Sequence, residues 1–331
     1  MKDRMKLKEI SELAKVSIST VSRVLANAPN VKAETREKVL SAIQDSPASF
    51  AKKQTNLIGV VIPDILNPFF PMLLKGMESI ANLRNFRLIV CNSENNLQIE
   101  EKIIDDLAAL NIDGIFFIGC SDKVPQNLEF IIRNRTIPVV FLDRDPHVGL
   151  AGLVTVDNTQ GMFQSALYLI GLGHRRILYL GGPQNLSTEL ERMQGFKEAW
   201  DQVDYDKKKL IQLHSDYSFE DAYNQIKQVL TQGKTQFTAM CASNDLMAQG
   251  AYKAVAEAGY SIPQDISIIG YDDIPCSTVL NLTSIRQPFE EMGRKSMLCM
   301  LDLMQDPTTN NRKFTLQASL IIRKTCAAVS N

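Results

Sequence analysis

The chain has 331 residues, of which 45% are apolar and 22% are charged, and its net charge is −1. This composition is that of a globular protein with a large core, so it excludes a disordered chain, a collagen and a small disulfide scaffold. No apolar run is long enough to span a bilayer, and Met1–Arg4 precede charged residues rather than a secretory signal. We therefore expect a cytoplasmic protein of about two domains with no membrane partner.

The net charge hides an uneven distribution. Residues 1–54 contain eleven Lys and Arg against six Asp and Glu, a net charge of +5, whereas the remainder has a net charge of −6. A small basic segment ahead of an acidic body is typical of a protein whose first part meets a polyanion such as DNA. Charge alone leaves a solvated basic tail as an equal alternative.

The basic segment has helical periodicity, which a tail would lack. Its apolar residues fall on one face of three short helices: the first ends before Lys15, the second is capped by Ser17 or Ser19, and the third begins near Ala33. Two short helices joined by a tight turn and braced by a third form a helix-turn-helix domain, which we assign to residues 1–47. The predicted inner faces comprise Leu7, Ile10, Leu13, Ala14, Val21, Val24, Leu25, Val39 and Ile43.

The second of these helices is suited to the major groove of DNA. It exposes Ile18, Ser19, Ser22 and Arg23, which are small or hydrogen-bonding side chains. Residues 48–56 follow as a linker that contains small residues and two lysines.

Beyond this linker, short apolar runs alternate with longer amphipathic segments. The runs predict strands, and segments such as 68–84 and 158–170 predict helices between them. Repeated βα units form a parallel sheet with helices on both faces, and these units are too many for one open sheet of modest size. A break near Val154–Asp157 therefore predicts two sheets. The predicted strands are Leu57–Pro63, Phe86–Cys91, Gly114–Ile118, Pro138–Leu142, Arg176–Leu180, Leu210–Leu213, Thr238–Ala242 and Ile266–Gly270.

Polar side chains follow the predicted strands at their carboxyl ends. Asn67 comes after the first strand, Asp143-Arg144 after the fourth, and Asn244 and Asp272 after two later ones. Ligands of open α/β sheets bind beyond these ends, so two facing sheets would enclose a ligand in a cleft that can close. Aromatic side chains at the same kind of position usually belong to the core, and stacking of their faces against a sugar ring is the functional alternative.

No motif indicates catalysis or a cofactor. Gly233-Lys234-Thr235 resembles the end of a phosphate-binding loop, but Gln228 occupies the position of the required glycine. The sequence contains no dinucleotide-binding or serine-hydrolase signature. With three scattered histidines and no C-x-x-C pair, we expect reduced core thiols and no metal site. The six cysteines are Cys91, Cys120, Cys241, Cys276, Cys299 and Cys326.

Several motifs, taken in order, resemble the LacI/GalR family of bacterial transcription regulators along nearly the whole chain. Residues Ser17–Leu25 resemble the family's DNA-reading helix, and the order and spacing of the other segments make chance implausible. These other segments are Glu9–Ala14, Thr35–Leu40, Ile58–Val60, Asn67–Phe70, Asp157-Asn158, Leu172–Ile177, Arg192–Phe196, Ser243–Asp245 and Gly270–Asp273.

The resemblance implies a helix-turn-helix head, a periplasmic-binding-protein-like α/β core over residues 57–331, and a homodimer that binds a near-palindromic double-stranded DNA operator. It divides the core into a first lobe of about residues 57–157 and 287–316, and a second of about residues 158–286 and 317–331. No leucine heptads follow residue 324, so we expect a dimer rather than a tetramer. The implied DNA contacts are Ile18, Ser19 and Arg23 at base edges, Ser17, Thr20 and Ser22 at phosphates, and also Asn27 and Phe50.

The resemblance also implies an effector pocket between the lobes. Asp272, Asn244 and Arg192 would hydrogen-bond the ligand hydroxyls, and the aromatic residues would supply ring faces. Purine-responsive members carry a basic residue where this chain has Leu186, so a neutral sugar or a sugar phosphate is favoured over a purine. The implied pocket comprises Asn67, Phe69, Phe70, Asp143, Thr188, Arg192, Tyr217, Asn244 and Asp272.

The chain departs from the family pattern at three places, one of which is Lys32 in place of the usual helix-capping serine. Lys15 replaces the usual turn glycine, at a backbone cost of about 1 kcal/mol. The stretch between Ile43 and Thr55 is shorter than the family's hinge by about two helical turns and contains no leucine. Either Phe50 takes the place of the hinge leucine in the minor groove, or that contact is absent and operator affinity is lower.

The sequence thus predicts a sugar-controlled DNA-binding repressor rather than an enzyme. A sugar receptor without DNA function is one alternative, and the basic head argues against it. An enzyme on the same frame is a second, and the missing catalytic motifs argue against it. A regulator controlled by a partner protein or by a purine-type co-repressor is a third, and the sequence leaves it open.

Overall fold

A computed structural model of the chain describes residues 7, 10–25, 28, 31–45, 55–149, 151–202, 209–231, 236–306 and 312–329. The chain separates into two compact units, Met1–Thr55 and Asn56–Asn331. In the described residues, no helix is both long and apolar enough to cross a bilayer.

The first unit is a small helical domain. Residues 10–13 are helical, and they are followed by α1 (Ile18–Leu25) and α2 (Ala33–Asp45). The hydroxyl of Ser17 accepts the backbone N–H of Thr20 at 3.1 Å, so Ser17 caps α1 as one of the two predicted candidates. The buried core of this helical domain comprises Ile10, Ala14, Val21, Val24, Val39 and Ala42.

One residue of the predicted inner face is placed differently. Leu13 is 51% exposed, because Ile10 and Ala14 already cover the face that packs against α1 and α2. The side chains of Leu25 and Ile43, which were predicted to be buried, lie outside the described part of the structure. Residues 46–54, which include most of the predicted linker, also lie outside it.

Lys15 has the backbone conformation that its position in the turn predicts. Its φ is +53°, in the left-handed region that favours glycine. We expect Lys15→Gly to raise the free energy of opening of this domain by up to about 1 kcal/mol, because the side chain no longer strains the turn. Native-state hydrogen exchange at the Val21 and Val39 amides measures this change. Lys32→Gly is the control, since the φ of Lys32 is not positive, and equal effects of both changes would contradict the explanation.

The second unit alternates strands and helices along most of its length. Its strands are β1 (Leu57–Ile62), β2 (Arg87–Asn92), β3 (Gly114–Phe117), β4 (Val139–Leu142), β5 (Gly152–Val156), β6 (Arg176–Gly181), β7 (Lys209–His214), β8 (Ala239–Ala242), β9 (Ser267–Asp272), β10 (Thr283–Arg286), β11 (Lys313–Leu316) and β12 (Ser319–Ile321). Its helices are α3 (Phe69–Leu83), α4 (Leu97–Ala109), α5 (Gln126–Arg133), α6 (Asn158–Gly171), α7 (Ser187–Asp201), α8 (Phe219–Thr231), α9 (Asp245–Glu257), α10 (Pro275–Val279) and α11 (Phe289–Gln305).

The strands form two six-stranded sheets, each the centre of one lobe. The first sheet has the order β11-β5-β4-β3-β1-β2 and is entirely parallel. The second has the order β12-β10-β9-β8-β6-β7, in which β12 is antiparallel to β10 and the other pairs are parallel. Helices pack in pairs beside the sheets, α3 with α11 and α4 with α5 in the first lobe, and α6 with α7 and α8 with α9 in the second. Two facing α/β lobes are the predicted fold class.

The chain passes between the lobes three times: after β5, after β10, and between β11 and β12. The predicted break near Val154–Asp157 coincides with the first of these crossovers, because Gly152–Val156 is a buried strand of the first sheet and Asp157 caps α6 of the second lobe by accepting the N–H of Gln160. Four strands, β5, β10, β11 and β12, were not predicted from the sequence. The strands β10, β11 and β12 are only three or four residues long, and each contains exposed residues. Since β11 and β12 are also edge strands, they lack the continuous apolar run of a strand that is buried on both faces.

Candidate functional site

Ten side chains line one cavity between the two lobes. They lie beyond the carboxyl ends of strands from both sheets, which is where open α/β sheets bind their ligands. All nine residues predicted for the pocket are brought together here, and their role in binding stays a prediction. The first lobe contributes Asn67, Phe69, Phe70, Asp143 and Arg144, and the second contributes Thr188, Arg192, Tyr217, Asn244 and Asp272.

Three of these residues have an unusual backbone. The φ angles of Asp143, Tyr217 and Asp272 are +64°, +70° and +116°, which side-chain-bearing residues adopt at a cost in energy. Each stands at or just beyond the end of a strand. Strained backbone clusters at functional sites because the surrounding fold holds a side chain where the site needs it.

Arg192 is fixed by contacts within the second lobe. Its Nε donates to the Oδ1 of Asn158 at 2.9 Å, and its Nη1 donates to the carbonyl of Ser243 at 2.7 Å. The guanidinium lies over the Tyr271 ring, 4.0 Å from the ring centroid. Asn158 in turn donates to Glu191 at 3.0 Å. Arg192 therefore forms a rigid, cationic part of the cavity wall.

Asp272 faces this cation from the end of β9. Its Oδ1 accepts a hydrogen bond from the Nε2 of Gln287 at 2.7 Å. Burial raises the pKa of Asp272 well above its ordinary value, and the positive charge of Arg192 opposes this shift. The formal charges of Asp143 and Asp272 balance those of Arg144 and Arg192 in the cavity lining.

Buried polar atoms without a hydrogen bond lie at the cavity. The Oδ1 of Asp143 accepts no hydrogen bond, and the Nε of Arg144 donates none, although it lies 3.9 Å from the Oδ2 of Asp143 in an ion pair. The hydroxyl of Tyr271 and the Oε1 of Gln287, next to Arg192 and Asp272, are also buried without a hydrogen bond. A buried polar atom costs free energy unless it is hydrogen-bonded, so this arrangement favours a ligand that both donates and accepts.

The cavity between the lobes has a volume of about 30 Å³. This holds about two water molecules, far less than a sugar ring occupies. Ser187 of the second lobe joins the cleft rim to the first lobe: its Oγ accepts the N–H of Asp145 at 3.2 Å and donates to the Oδ1 of Asp122 at 3.2 Å. Entry of a ligand requires these contacts to rearrange.

The predicted DNA-contacting residues lie on the first unit. Ile18, Ser19, Ser22 and Arg23 are exposed on α1, and Thr20 is half-buried. The Oγ of Ser17 is 2.8 Å from the hydroxyls of both Ser19 and Thr20, so these hydroxyls form a small network at the start of the helix. Asn27 and Phe50 lie outside the described residues. The DNA contacts themselves stay a prediction.

Two residues at the cavity were missed by the sequence analysis as pocket residues. Arg144 lines the cavity and was recognised only as a polar residue after a strand. The signal was its position next to Asp143. Gln287 bonds to Asp272 from the second crossover between the lobes, and its neighbours in the sequence give no sign of this role.

The cysteines and possible metal ligands take no part in this site. All six cysteines are free thiols, with Cys241 and Cys299 buried and Cys276 exposed on α10, so the prediction of core thiols is wrong for Cys276. In the part of the chain that the structure describes, no three His, Cys, Asp or Glu side chains are grouped to hold a metal ion.

Two family models match the chain. The model for bacterial regulatory proteins of the lacI family matches residues 6–46, and that for a periplasmic binding protein-like domain matches residues 166–326. The transcriptional repressor PurR of Photobacterium profundum is 30% identical, over 96% of this chain and 97% of its own length. The chain belongs to the LacI family of bacterial regulators.

Other LacI-family proteins match over similar lengths. The ribose operon repressor of Halalkalibacterium halodurans is 30% identical, over 98% of each chain. A LacI-family regulator from Enterococcus faecium, solved with bound ribose, is 31% identical, covers 83% of this chain and all of its own, and has a TM-score of 0.73. The LacI-family head match includes α1 and α2, and the core match runs from α6 to the end of β12.

Proposed function

We propose that this chain is a DNA-binding transcriptional repressor whose operator affinity is set by a neutral, ribose-type sugar bound between the core lobes. In this proposal, residues 1–47 read DNA, residues 48–56 link the head to the core, and residues 57–331 bind the effector and dimerise. The repressor would act on DNA in the cytoplasm, as a homodimer on a near-palindromic operator.

Two atoms of Asp143 and Arg144 that make no hydrogen bond carry the effector proposal. One is a buried acceptor and the other a buried donor, on adjacent residues of the same cavity wall. A sugar hydroxyl donates one hydrogen bond and accepts others, so the hydroxyls of a sugar can supply both kinds of partner. Phe69, Phe70 and Tyr217 line the same cavity and offer apolar ring faces to a sugar.

The charge of the cavity favours a neutral sugar over a sugar phosphate. Counted at their formal charges, the two carboxylates and the two guanidinium groups of the lining cancel, so the lining has no formal surplus of positive charge for a phosphate. The ribose operon repressor and the ribose-bound regulator support a sugar of this class. The similarity to PurR keeps a purine-type co-repressor as a second candidate. Against it stands Leu186, an apolar residue that is buried just before α7.

A thermal-melting panel with the purified chain tests the effector. The panel contains D-ribose, other pentoses, hexoses, ribose 5-phosphate and purine bases. A ligand at a hundred times its dissociation constant adds about 2.7 kcal/mol to stability, which is a clear rise in the melting temperature. We expect D-ribose to give the largest rise. A larger rise with the phosphate or with a purine would overturn the proposal.

The link to DNA is tested with an operator selected from random sequences. Operator affinity is compared with and without the sugar, and sugar affinity with and without the operator. The two ratios must agree, because coupling between two binding sites is reciprocal. A saturable sugar response without any operator preference would favour the alternative of a sugar receptor, and turnover of the sugar would favour an enzyme. Operator binding that responds only to another protein would favour the partner-controlled alternative.

Gly182 gives a test of the aromatic wall. A Cβ at this position would lie 2.2 Å from the Cε1 and Cζ atoms of Tyr217. Gly182→Ala therefore forces the Tyr217 ring to move, and we expect sugar affinity to fall by about tenfold or more while the fold persists. Gly171→Ala is the control, because a Cβ there meets nothing within 4 Å. Isothermal titration measures both, and unchanged sugar affinity in Gly182→Ala would exclude Tyr217 from the wall.

A further inference from the structure

A buried carboxylate lies behind the second-lobe side of the cavity. Glu189 is the third residue of α7 and is only 1% exposed. Its Oε1 accepts the hydroxyl of Tyr179 at 2.8 Å, and its Oε2 accepts the backbone N–H of Gly182 at 2.8 Å. The hydroxyls of Ser243 and, at 3.4 Å, Tyr217 also donate to Oε2. The described residues provide no cation in an ion pair with Glu189, so these donors and the helix start hold it.

The four donors come from the ends of three neighbouring strands. Tyr179 lies in β6, with Gly182 directly after it, while Tyr217 follows β7 and Ser243 follows β8. These strands are adjacent in the order β8-β6-β7. One side chain thus joins three strand ends and the first turn of α7 at the edge of the sheet that faces the cavity.

Residues of the cavity wall are next to these contacts in the chain. Thr188 precedes Glu189, Asn244 follows Ser243, and Tyr217 is itself both a donor to Glu189 and a wall residue. Asn244 also donates from Nδ2 to the carbonyl of Tyr217 at 3.1 Å. A shift of the carboxylate would therefore move three parts of the wall together.

The last residue of β6 is a glycine, Gly181, which leaves room for the carboxylate of Glu189. A Cβ at Gly181 would lie 2.5 Å from the Oε1 of Glu189, a distance that no side chain there would tolerate. Burial, and then the charge of Glu189, raises the pKa of both Tyr179 and Tyr217. Both phenols therefore remain protonated near neutral pH and can donate to the carboxylate.

We propose that Glu189 is a positioning residue of the effector pocket, which fixes Thr188, Tyr217 and Asn244 in the arrangement that the sugar needs. The inference rests on the proposed function, because it assigns Glu189 to the same pocket. Glu189 lies behind the wall and does not touch the ligand itself.

Glu189→Gln tests this role in the full-length chain. Glutamine keeps the size of the side chain but replaces one acceptor oxygen by an NH₂ donor among four other donors. We expect the affinity for D-ribose to fall by about tenfold or more, measured by isothermal titration. Operator binding in the absence of sugar should be unchanged.

His174→Gln is the matched control in the same lobe. His174 precedes β6 and is buried, and its ring nitrogens bond to Thr238 at 2.9 Å, and to Ser267 and the carbonyl of Ala327 at 3.1 Å each. It thus joins segments at the opposite, amino-terminal ends of the strands. Its loss should lower the melting temperature with little change in D-ribose affinity. Equal losses of affinity in Glu189→Gln and His174→Gln, or no loss in either, would overturn the proposal.

Hydrogen exchange of the ligand-free protein gives a readout that does not depend on the sugar. We expect faster exchange at the Gly182 amide and in residues 215–218 of Glu189→Gln, with the first-lobe wall unchanged. If the wild type binds no D-ribose, the proposed function fails, and this exchange pattern still decides the role of Glu189. Unchanged exchange would contradict the role. Ser243→Ala removes one donor only, so a smaller effect of the same kind is expected should Glu189→Gln not fold.

Discussion

Replacing Asp272 with alanine is expected to abolish the effector response while DNA binding persists. Asp272 is buried at the end of β9, accepts a hydrogen bond from Gln287 and faces Arg192 across the cavity wall. Its loss removes an acceptor for the ligand and leaves the Arg192 charge buried without this counter-charge. It also leaves the buried Gln287 amide without its acceptor, and an unsatisfied buried group costs about 1–3 kcal/mol, which is about 5- to 150-fold in affinity.

The measurement is sugar affinity by titration, together with operator affinity with and without sugar. Asp64→Ala serves as the matched control, because Asp64 also follows a strand but does not line the cavity, and its Oδ1 accepts only the local N–H of Leu66. We expect the control to respond to sugar like the wild type. A normal response in Asp272→Ala would refute the assignment of the pocket.

Arg23→Ala is expected to remove operator preference and to leave weak, salt-sensitive DNA binding. Arg23 is exposed on α1, and arginine can make a bidentate contact with guanine that is worth about 1–3 kcal/mol of discrimination. The loss should be about 5- to 150-fold on the operator and small on random DNA, because the phosphate contacts of the other residues persist.

Arg23→Lys separates charge from geometry. Lysine keeps the positive charge but lacks the planar fork of donors, so it should bind random DNA like the wild type and still lose operator preference. Fluorescence anisotropy with operator and random duplexes at several salt concentrations measures both variants. Equal losses on the two duplexes in Arg23→Ala would show that Arg23 contacts phosphate alone.

The sequence predicted the elements whose signal is local. Continuous apolar runs such as the one that became β1 identify strands buried on both faces, and all eight predicted strands occur within one or two residues of their predicted ends. Leu13 was misplaced because periodicity allows a wider apolar face than the small head can bury. The edge strands β11 and β12 gave no such run, since their pairing depends on partners far away in the chain.

The cavity could be anticipated for a related reason. Strand ends in a parallel sheet meet at one edge, so Asp143 and Asp272 could be grouped before any distance was known. Gln287 and Glu189 could not be grouped in this way, because their roles follow from which crossover and which helix start lie beside the strand ends. Such contacts are set by tertiary packing, which the local sequence does not encode.

The positions of β11 and β12 also govern the order in which the protein can fold during synthesis. The head is complete after α2, whereas each of the two sheets receives an edge strand from residues 313–321. At a translation rate of about 5–20 residues per second, the head precedes these strands by tens of seconds. The edge of β5 lies open to mispairing from its own synthesis until β11 is made, and the edge of β10 lies open for the shorter time until β12 is made. A nascent chain therefore carries the helix that we propose to read DNA well before the cavity proposed to bind its effector is finished.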